Sequence, residues 1–499
     1  MSGKWHHQSI RIVALFSLFA SGCDDQGGSG LLDNLLPGQS TLDQYDGEFT
    51  ADDAYHLYRR AAFGASASQI DAAVARGLEA TVDELLTIRT ESREFRDFAA
   101  TYEDDIPKRW MIYLLQGNNP LRERLGLFWH DRFATSRRVL TDRDRNLSIT
   151  HFNMIRSYAL GNYRDFLQAL TLDPLMLIWL DGANSPKQDP NENYAREFWE
   201  LFTLGRDVLY TEADIREAAR AFTGITLFRE QDIDARPVFD LMNHDETTKS
   251  IFPERAEAAN FDYISVIDLT LQQAEAPAYV ARNLFALYVH DQPTDDQVKE
   301  LADLFVESDF EISPLVRKIL LSKAFFDESA RGNQVTTPVE HIVGVARTLD
   351  MRMASEDSQG FVLDRLVSDL ADAGQEMLNP PGVNGWDEGL AWMEDQWVLS
   401  RVSALGRTME YGPDRTPELP YHILPRRSSW NDRESRKGIV DAIAAAFHLD
   451  LTAEEHEIYV EVLDQNGYLA FHLENPDYQP HLVQELLKLM AMHEDVIGR

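Results

Sequence analysis

The sequence predicts an all-α fold, a large body of many helices that carries one short β-hairpin and one rigid loop. Three observations predict it. Apolar residues recur at helical spacing between caps from about residue 50 onward, alternating strand patterns are scarce, and segment 374–389 combines tandem prolines with four glycines. The helical stretches are predicted at 67–88, 107–117, 120–136, 147–171, 276–290, 294–307, 313–326, 338–350, 361–373, 390–405 and 437–447.

The clearest single helix is predicted between Thr211 and Gly224. Thr211 is a good N-cap with Asp214 three residues later, and Gly224 is a typical C-terminal stop. Between them, apolar residues such as Ile215 and Phe222 fall on one face. The sequence therefore predicts an amphipathic helix that packs against the body.

Strand structure is expected in one place only. The best candidate lies at 236–252, where the sequence favours a short hairpin. The helical body can be divided into two lobes near 229–262, and the segment 411–433, rich in proline and arginine, predicts a surface excursion.

The N-terminal segment has the pattern of an export signal. Arg11 precedes a short apolar run at 12–20, and small residues lead to Cys23, the single cysteine of the chain. A cysteine directly after such a segment resembles bacterial lipoprotein signals, in which that cysteine is acylated. An ordinary signal peptide, or a buried free thiol in a cytosolic protein, is the alternative.

The lipoprotein interpretation divides the chain into three parts. We expect a signal peptide over 1–22, an acylated Cys23 with a flexible tether over 23–48, and one domain over 49–499. The apolar run is too short to remain as a membrane-spanning helix, so lipid alone would hold the mature protein. The expected location is the cell envelope, at a bacterial membrane and facing the periplasm or the cell surface.

The charge balance restricts the partners. The formal net charge is -36 over 499 residues, which repels nucleic acids and anionic lipid surfaces, so we expect no nucleic-acid partner. Such acidity is also typical of proteins adapted to salty surroundings. With one cysteine, intramolecular disulfides and cysteine zinc sites are excluded, and any metal must use His, Asp or Glu. The sequence identifies no cofactor.

A helix is predicted over 189–205, with Asp189 as N-cap, Pro190 at the first helical position and Gly205 at the end. Glu197 falls at the edge of its apolar face. A carboxylate there either pairs with a buried arginine or occupies a cleft with a raised pKa. Three other charged side chains lie along one polar stripe at i, i+4 spacing and predict a salt-bridge ladder: Glu192, Arg196 and Glu200.

The segment 122–136 predicts a well-buried helix that carries His130. Gly126 and Ala134 lie one turn before and after it, and their small side chains let another backbone or a ligand approach the imidazole. His130 is either a core histidine bound to a carbonyl or carboxylate, or a metal ligand or proton-transfer group.

Two loops supply the remaining candidates. His244, Asp245 and Lys249 fall in the expected hairpin, outside the helical pattern, where functional side chains often occur. The rigid loop 374–389 is either a structural plug or the wall of a pocket. Its three candidates for substrate binding are Gln375, Asn379 and Trp386.

Several common catalytic motifs are missing from the sequence. It has no Gly-x-Ser-x-Gly elbow, no phosphate-binding Gly-x-x-x-x-Gly-Lys-Ser/Thr loop and no His-Glu-x-x-His zinc helix. The usual serine hydrolase, nucleotide-binding and zinc protease classes therefore have no motif support.

Together these segments resemble the bacterial family known as domain of unknown function 1800. The resemblance covers roughly 50–499 and depends on six matches: His56–Gly64, Phe128–His130, Asn191–Gly205, Thr211–Gly224, His244-Asp245 with Lys249, and Pro380–Trp386. It implies a mostly helical, exported bacterial protein without an established activity. It also implies a frequent neighbour, an exported protein whose fold resembles phosphatases and sulfatases. The chain departs from the family pattern at Asp131, Arg132, Thr247-Thr248 and Ile225.

Two functions follow from these interpretations. The favoured one is an accessory protein of the cell envelope that binds an exported partner, since every candidate residue also has a structural explanation. The alternative is a metal-assisted or general acid/base hydrolase of envelope or polysaccharide material. In the alternative, Glu197 is the base, or a metal ligand with His130, while His244 and Asp245 complete the cleft and Trp386 packs on substrate.

Overall fold

Helices form most of the chain in the computed structural model, which describes residues 41–230, 234–351, 356–408, 423–424, 433–464 and 479–498. The first ten are α1 (Ala51–Ala62), α2 (Ala67–Arg76), α3 (Leu78–Leu86), α4 (Arg93–Ala100), α5 (Ile106–Gln116), α6 (Pro120–Arg132), α7 (Leu147–Tyr158), α8 (Tyr163–Thr171), α9 (Pro174–Trp179) and α10 (Glu192–Glu197). Then come α11 (Glu212–Ala221), α12 (Tyr263–Leu271), α13 (Glu275–Tyr288), α14 (Asp295–Glu307), α15 (Ile312–Leu320) and α16 (Lys323–Phe326). The last are α17 (Pro338–Thr348), α18 (Glu356–Asp372), α19 (Asp395–Thr408), α20 (Arg433–Phe447), α21 (Ala453–Asp464), α22 (Gln479–Ala491) and α23 (Glu494–Ile497). The all-α prediction is confirmed.

Specific caps set the ends of these helices. The Thr211 side chain accepts from the backbone N–H of Asp214, and the Asp214 carboxylate accepts from the N–H of Thr211, which confirms the predicted capping box of α11. The predicted stretch 67–88 is two helices, because Gly77 takes a φ of 89° between them. The stretch 147–171 is also divided, because Asn162 starts a new helix as its N-cap.

The helix that carries Glu197 begins later than predicted. Asn191, not Asp189, is its N-cap, and the Asn191 side chain accepts from the N–H of Asn193. After Glu197 the chain widens into a π-helical turn over Phe198–Thr203. The N–H of Leu204 then donates to the carbonyl of Trp199 at 2.9 Å, five residues back.

The strands form one antiparallel pair, β1 (Ile225–Phe228) and β2 (Arg236–Phe239), which confirms a short hairpin. The pair begins before the predicted 236–252, since β2 is the first part of that segment and its partner lies upstream. Further along, Lys249 forms an isolated bridge with Ala259. The predicted division into lobes near 229–262 stays a prediction.

The core is rich in aromatic rings that pack around α6. The ring of Trp129 stacks on Phe133 with centroids 5.4 Å apart, and Phe166 meets Phe133 edge to face at 5.1 Å. Almost every residue of α6 is buried, as the sequence predicted. This helix therefore carries His130 into the interior.

The chain is fastened to the body before the first helix. Backbone N–H groups of Lys323 and Ala324 donate to the carbonyls of Asp43 and Thr41, and the Leu42 side chain is buried. Residues 41–45 therefore contact the body, although the sequence assigns them to the tether. Cys23 and the predicted signal peptide lie outside the described residues. None of the helices in the described ranges combines the length and apolarity needed to cross a bilayer.

The rigid loop 374–389 is confirmed as non-helical. Gly374 and Gly385 have φ values of 88° and 85°, and Leu378 also has a positive φ of 62°. A bridge joins Gly382 to Gly385 at its tip. Most of the predicted excursion 411–433 lies outside the described residues.

Candidate functional site

His130 is a buried histidine surrounded by rings. It is 1% exposed, and its ring centroid lies 5.7 Å from those of Trp110 and His151 and 5.3 Å from that of Trp386. Neither ring nitrogen has a hydrogen-bond partner among the described residues. Burial, with a smaller effect of His151, holds the pKa of His130 well below its usual range, so the imidazole is neutral at pH 7.

Gly126, one helical turn before His130, leaves room for an aromatic ring. A Cβ at Gly126 would lie 3.7 Å from the ring of Trp110, in ordinary contact. The neighbour that Gly126 admits is therefore the indole of α5.

The rigid loop closes over this histidine. The Trp386 side chain is buried, and its backbone N–H donates to Oδ1 of Asp131 at 2.7 Å. A Cβ at Gly385 would lie 2.7 Å from the backbone oxygen of Asp131, so only glycine fits there. The loop thus packs directly on α6 through Asp131.

We expect Asp131→Asn to stabilise the protein at neutral pH. Burial is the largest effect on the Asp131 carboxyl and raises its pKa to about 6, against the Trp386 hydrogen bond. Because the pKa of Asp131 is raised in the folded protein, its protonated carboxyl stabilises the fold fully at a pH below the unfolded pKa. This stabilisation is lost as the pH rises through about 6. The gain from asparagine is on the order of 1–2 kcal/mol at pH 7. Thermal melts at pH 5 and pH 7 check it, and an equal pH dependence in variant and parent would contradict it.

The other loop candidates hold the loop in place. Gln375 Oε1 accepts from the backbone N–H of Val339 at 2.9 Å. Asn379 Oδ1 accepts from the Ser136 hydroxyl at 3.0 Å, and its amide donates to Glu376 at 2.7 Å. Both Gln375 and Asn379 are buried, so each has a structural partner on a neighbouring segment.

Three side chains linked by hydrogen bonds beside His130 were not identified from the sequence. Thr135 Oγ1 lies 3.0 Å from His151 Nε2, and His151 Nδ1 lies 2.8 Å from Asp173 Oδ1. A carboxylate only accepts, so Nδ1 carries a proton, and Nε2 shares a hydrogen bond with the threonine hydroxyl. All three side chains are buried, at most 3% exposed, and Asp173 also caps α9 through the N–H of Met176.

The His244 loop forms a separate cluster. His244 Nδ1 lies 2.9 Å from the carbonyl of Thr223, and the Asp245 carboxylate accepts from Arg220 at 2.7 Å. Burial alone would raise the pKa of Asp245, but hydrogen bonds from Arg220 and Thr247 hold it far below its usual range. Lys249 Nζ donates to the carbonyl of Thr247 at 3.1 Å. These side chains fix the turn that follows β2.

Glu197 lies where α10 becomes the π-turn. It is half-buried, and among the described residues no hydrogen bond or ion pair reaches its carboxylate. Burial, followed by repulsion from Glu200, raises its pKa. Arg196 instead pairs with Glu192 at 3.4 Å and Glu200 at 3.7 Å, which confirms the predicted ladder.

Among the described residues, the contacts divide the candidates into two groups. Arg206 joins the end of the Glu197 helix to the rigid loop, since its Nε lies 3.3 Å from Glu200 and its Nη2 lies 3.5 Å from Asn384 Oδ1. Two residues beyond Asn384, Trp386 contacts His130. No hydrogen bond, ion pair or ring contact in the described residues links His244 to either His130 or Glu197. Nor do any three His, Cys, Asp or Glu side chains there group closely enough to hold a metal ion.

Comparison with known proteins gives a family and no activity. A family model described as "Protein of unknown function (DUF1800)" matches residues 56–480. Searches of curated proteins and of solved structures returned no match. The matched range covers most of the 499 residues and contains every candidate described above except Cys23. The chain therefore belongs to this family of proteins of unknown function.

Proposed function

We propose that this protein is a lipid-anchored accessory protein of the bacterial cell envelope that binds an exported partner protein. One observation carries the proposal: most of the candidate residues are enclosed in the body or bonded to neighbouring side chains, Glu197 being the exception. His130 is 1% exposed, and Asp245 is bound to Arg220. An enzyme needs reactive groups that converge where substrate can reach them.

The anchor rests on the N-terminal sequence. Arg11, the apolar run at 12–20 and Cys23 support export followed by acylation. Growth of the producing bacterium with a radiolabelled fatty acid tests it. Label is expected on the parent and not on Cys23→Ser, and the variant leaves the membrane fraction. An unlabelled parent would contradict the anchor.

The partner proposal commits to the exported protein with a phosphatase- or sulfatase-like fold that the family resemblance implies. Affinity purification of the tagged, full chain from a native membrane extract tests it. That partner is expected in stoichiometric amount, and a tagged unrelated lipoprotein is the control. Recovery of the chain without this partner would overturn the proposal.

A second candidate function, general acid/base hydrolysis, is favoured by Glu197 and His130. An unpaired half-buried carboxylate with a raised pKa is suited to proton transfer, and π-turns often occur at functional sites. Neither ring nitrogen of His130 is occupied by a side chain or backbone group of the described residues, which is uncommon for a buried structural histidine.

Glu197→Gln separates the two functions. If the protein is a hydrolase, cells that carry Glu197→Gln are expected to behave like cells that lack the gene. The melting temperature is expected to change little, because Glu197 has no ion pair to lose. Glu192→Gln, on the same helix and with a surface ion pair, is the matched control. An unchanged phenotype would exclude Glu197 as the acid/base group.

A further inference from the structure

Large apolar side chains are exposed directly after the rigid loop. Leu390 is 80% exposed, Met393 42% and Leu399 54%, and no other ten consecutive residues of the described ranges expose three such side chains. Leu390 and Met393 belong to a 3₁₀ turn over Gly389–Met393, in which residues three apart lie on the same side, and Leu399 follows on α19. A grouped apolar surface of this kind is typical of an interaction site, whereas single exposed apolar residues are common everywhere.

The backbone that presents these side chains is fixed from beneath. Trp392, in the same 3₁₀ turn, is fully buried, and Arg401 Nη2 donates to its carbonyl at 3.1 Å. At the start of α19, Trp397 packs on Gly374, where an added Cβ would lie 3.1 Å from the indole ring. A partner would therefore meet a preformed surface, and binding would cost little conformational entropy on this side.

Acids without basic partners surround the apolar side chains. The stretch from Asp387 to Asp395 contains four acids and no lysine or arginine. Glu388 pairs with Arg132 at 2.7 Å, whereas in the described part of the chain no ion pair reaches Asp387, Glu394 or Asp395, which are all exposed. Apolar area flanked by uncompensated negative charge is complementary to a segment that is both apolar and basic, because a neutral or acidic segment leaves these carboxylates unpaired or repelled.

We propose that the surface from Asp387 to Leu399 is where the exported partner protein docks, and that the partner contacts it with a basic amphipathic helix. The apolar face of such a helix covers Leu390 and Met393, and its lysines or arginines reach the acids on either side of them. The inference rests on the accessory function proposed above, and it adds the place and the chemistry of the contact.

Fluorescence anisotropy with a labelled helical peptide tests the chemistry of this surface. The probe is two tandem copies of Leu-Lys-Lys-Leu-Leu-Lys-Leu, and its control has glutamate in place of every lysine. The full chain is expected to bind the lysine peptide at least about tenfold more tightly than the glutamate peptide, because only the lysines complement the acids. Equal binding of the two peptides, or no binding of the lysine peptide, would overturn the proposal.

A matched pair of double variants locates the peptide. The surface variant combines Leu390→Ser with Met393→Ser and is expected to weaken binding of the lysine peptide about tenfold, because the apolar contact is lost. The control variant combines Leu241→Ser with Met242→Ser, which removes the same two residue types from another exposed position. It is expected to bind as the parent does. If the two variants bind the peptide equally, the peptide lies elsewhere and the proposal is wrong.

The same variants connect the surface to the partner. In affinity purification from a native membrane extract, the parent and the control variant are expected to retain the exported partner, identified by mass spectrometry. The surface variant is expected to recover about a tenth as much. Full recovery by the surface variant would overturn the docking site and leave the accessory function in place. A parent preparation without the partner would instead overturn the accessory function, and the docking site with it.

Discussion

Glu123→Ala is expected to destabilise the protein by about 3–5 kcal/mol. Glu123 is fully buried, and its carboxylate accepts from Arg122 at 2.8 Å and from Arg156 at 2.8 Å and 2.9 Å. Burial opposes its ionisation, but Arg156 and Arg122 hold the pKa of Glu123 below its usual range. Alanine leaves Arg156, packed 3.8 Å from the ring centroid of Tyr113, as a charge that is only 11% exposed and has no counter-ion. Urea unfolding followed by circular dichroism measures the loss.

Two controls separate charge from packing in this prediction. The double variant Glu123→Leu with Arg156→Leu removes the carboxylate and one of its two arginines, and is expected to recover much of the loss. Asp97→Ala removes an exposed ion pair with Arg93 and is expected to cost less than about 1 kcal/mol. A Glu123→Ala protein as stable as Asp97→Ala would show that the buried pair contributes nothing.

Asp173→Ala is the second large effect, also expected to be about 3–5 kcal/mol. One carboxylate oxygen accepts both from His151 Nδ1 at 2.8 Å and from the N–H of Met176 at 2.9 Å. Alanine therefore leaves a buried imidazole donor unpaired and removes the N-cap of α9 together. Thermal unfolding by calorimetry gives the size of the loss.

Asp173→Asn provides the matched test. Its amide oxygen can keep both hydrogen bonds, and its NH₂ group would take the place of Oδ2, which has no hydrogen-bond partner in the described structure. We expect this variant to lose much less stability than Asp173→Ala. Equal losses would mean that the stability depends on the negative charge of Asp173 beside His151 and not on the two hydrogen bonds.

The sequence predicted most helices because their signals are local. Thr211 and Asp214 cap their own helix, whereas the division of 67–88 at Gly77, which has a positive φ, was not predicted. The π-turn after Glu197 has no such signal, because its wide hydrogen bonds depend on how Trp199 packs, with Nε1 donating to Thr270 on α12. The hairpin was predicted too far along the chain, because the segment that joins its two strands has no pair of turn residues such as Asn-Gly to mark it.

The candidate site was predicted less well because it is assembled from distant segments. His130 and Trp386 were both identified, but their contact joins α6 to a loop far along the chain. His151 was missed, although it lies on one apolar stripe with Leu147 and Ile155, which marks a buried polar residue. Its partner Asp173, followed by proline, is an N-cap with the same signature that wrongly marked Asp189. Spacing reveals such residues one at a time, and only the fold pairs them.

The backbone hydrogen bonds that hold residues 41–45 against the helical body determine where a pulling force acts first. Backbone hydrogen bonds at Thr41, Asp43 and Tyr45 join this segment to residues 321–324, in that order from the N-terminal side. A pulling force applied at residue 41 reaches these bonds, and the buried Leu42 side chain, before it reaches α1. Under such a load we expect the hydrogen bonds of residues 41–45 to break before the helices unfold, because they lie first along the line of force.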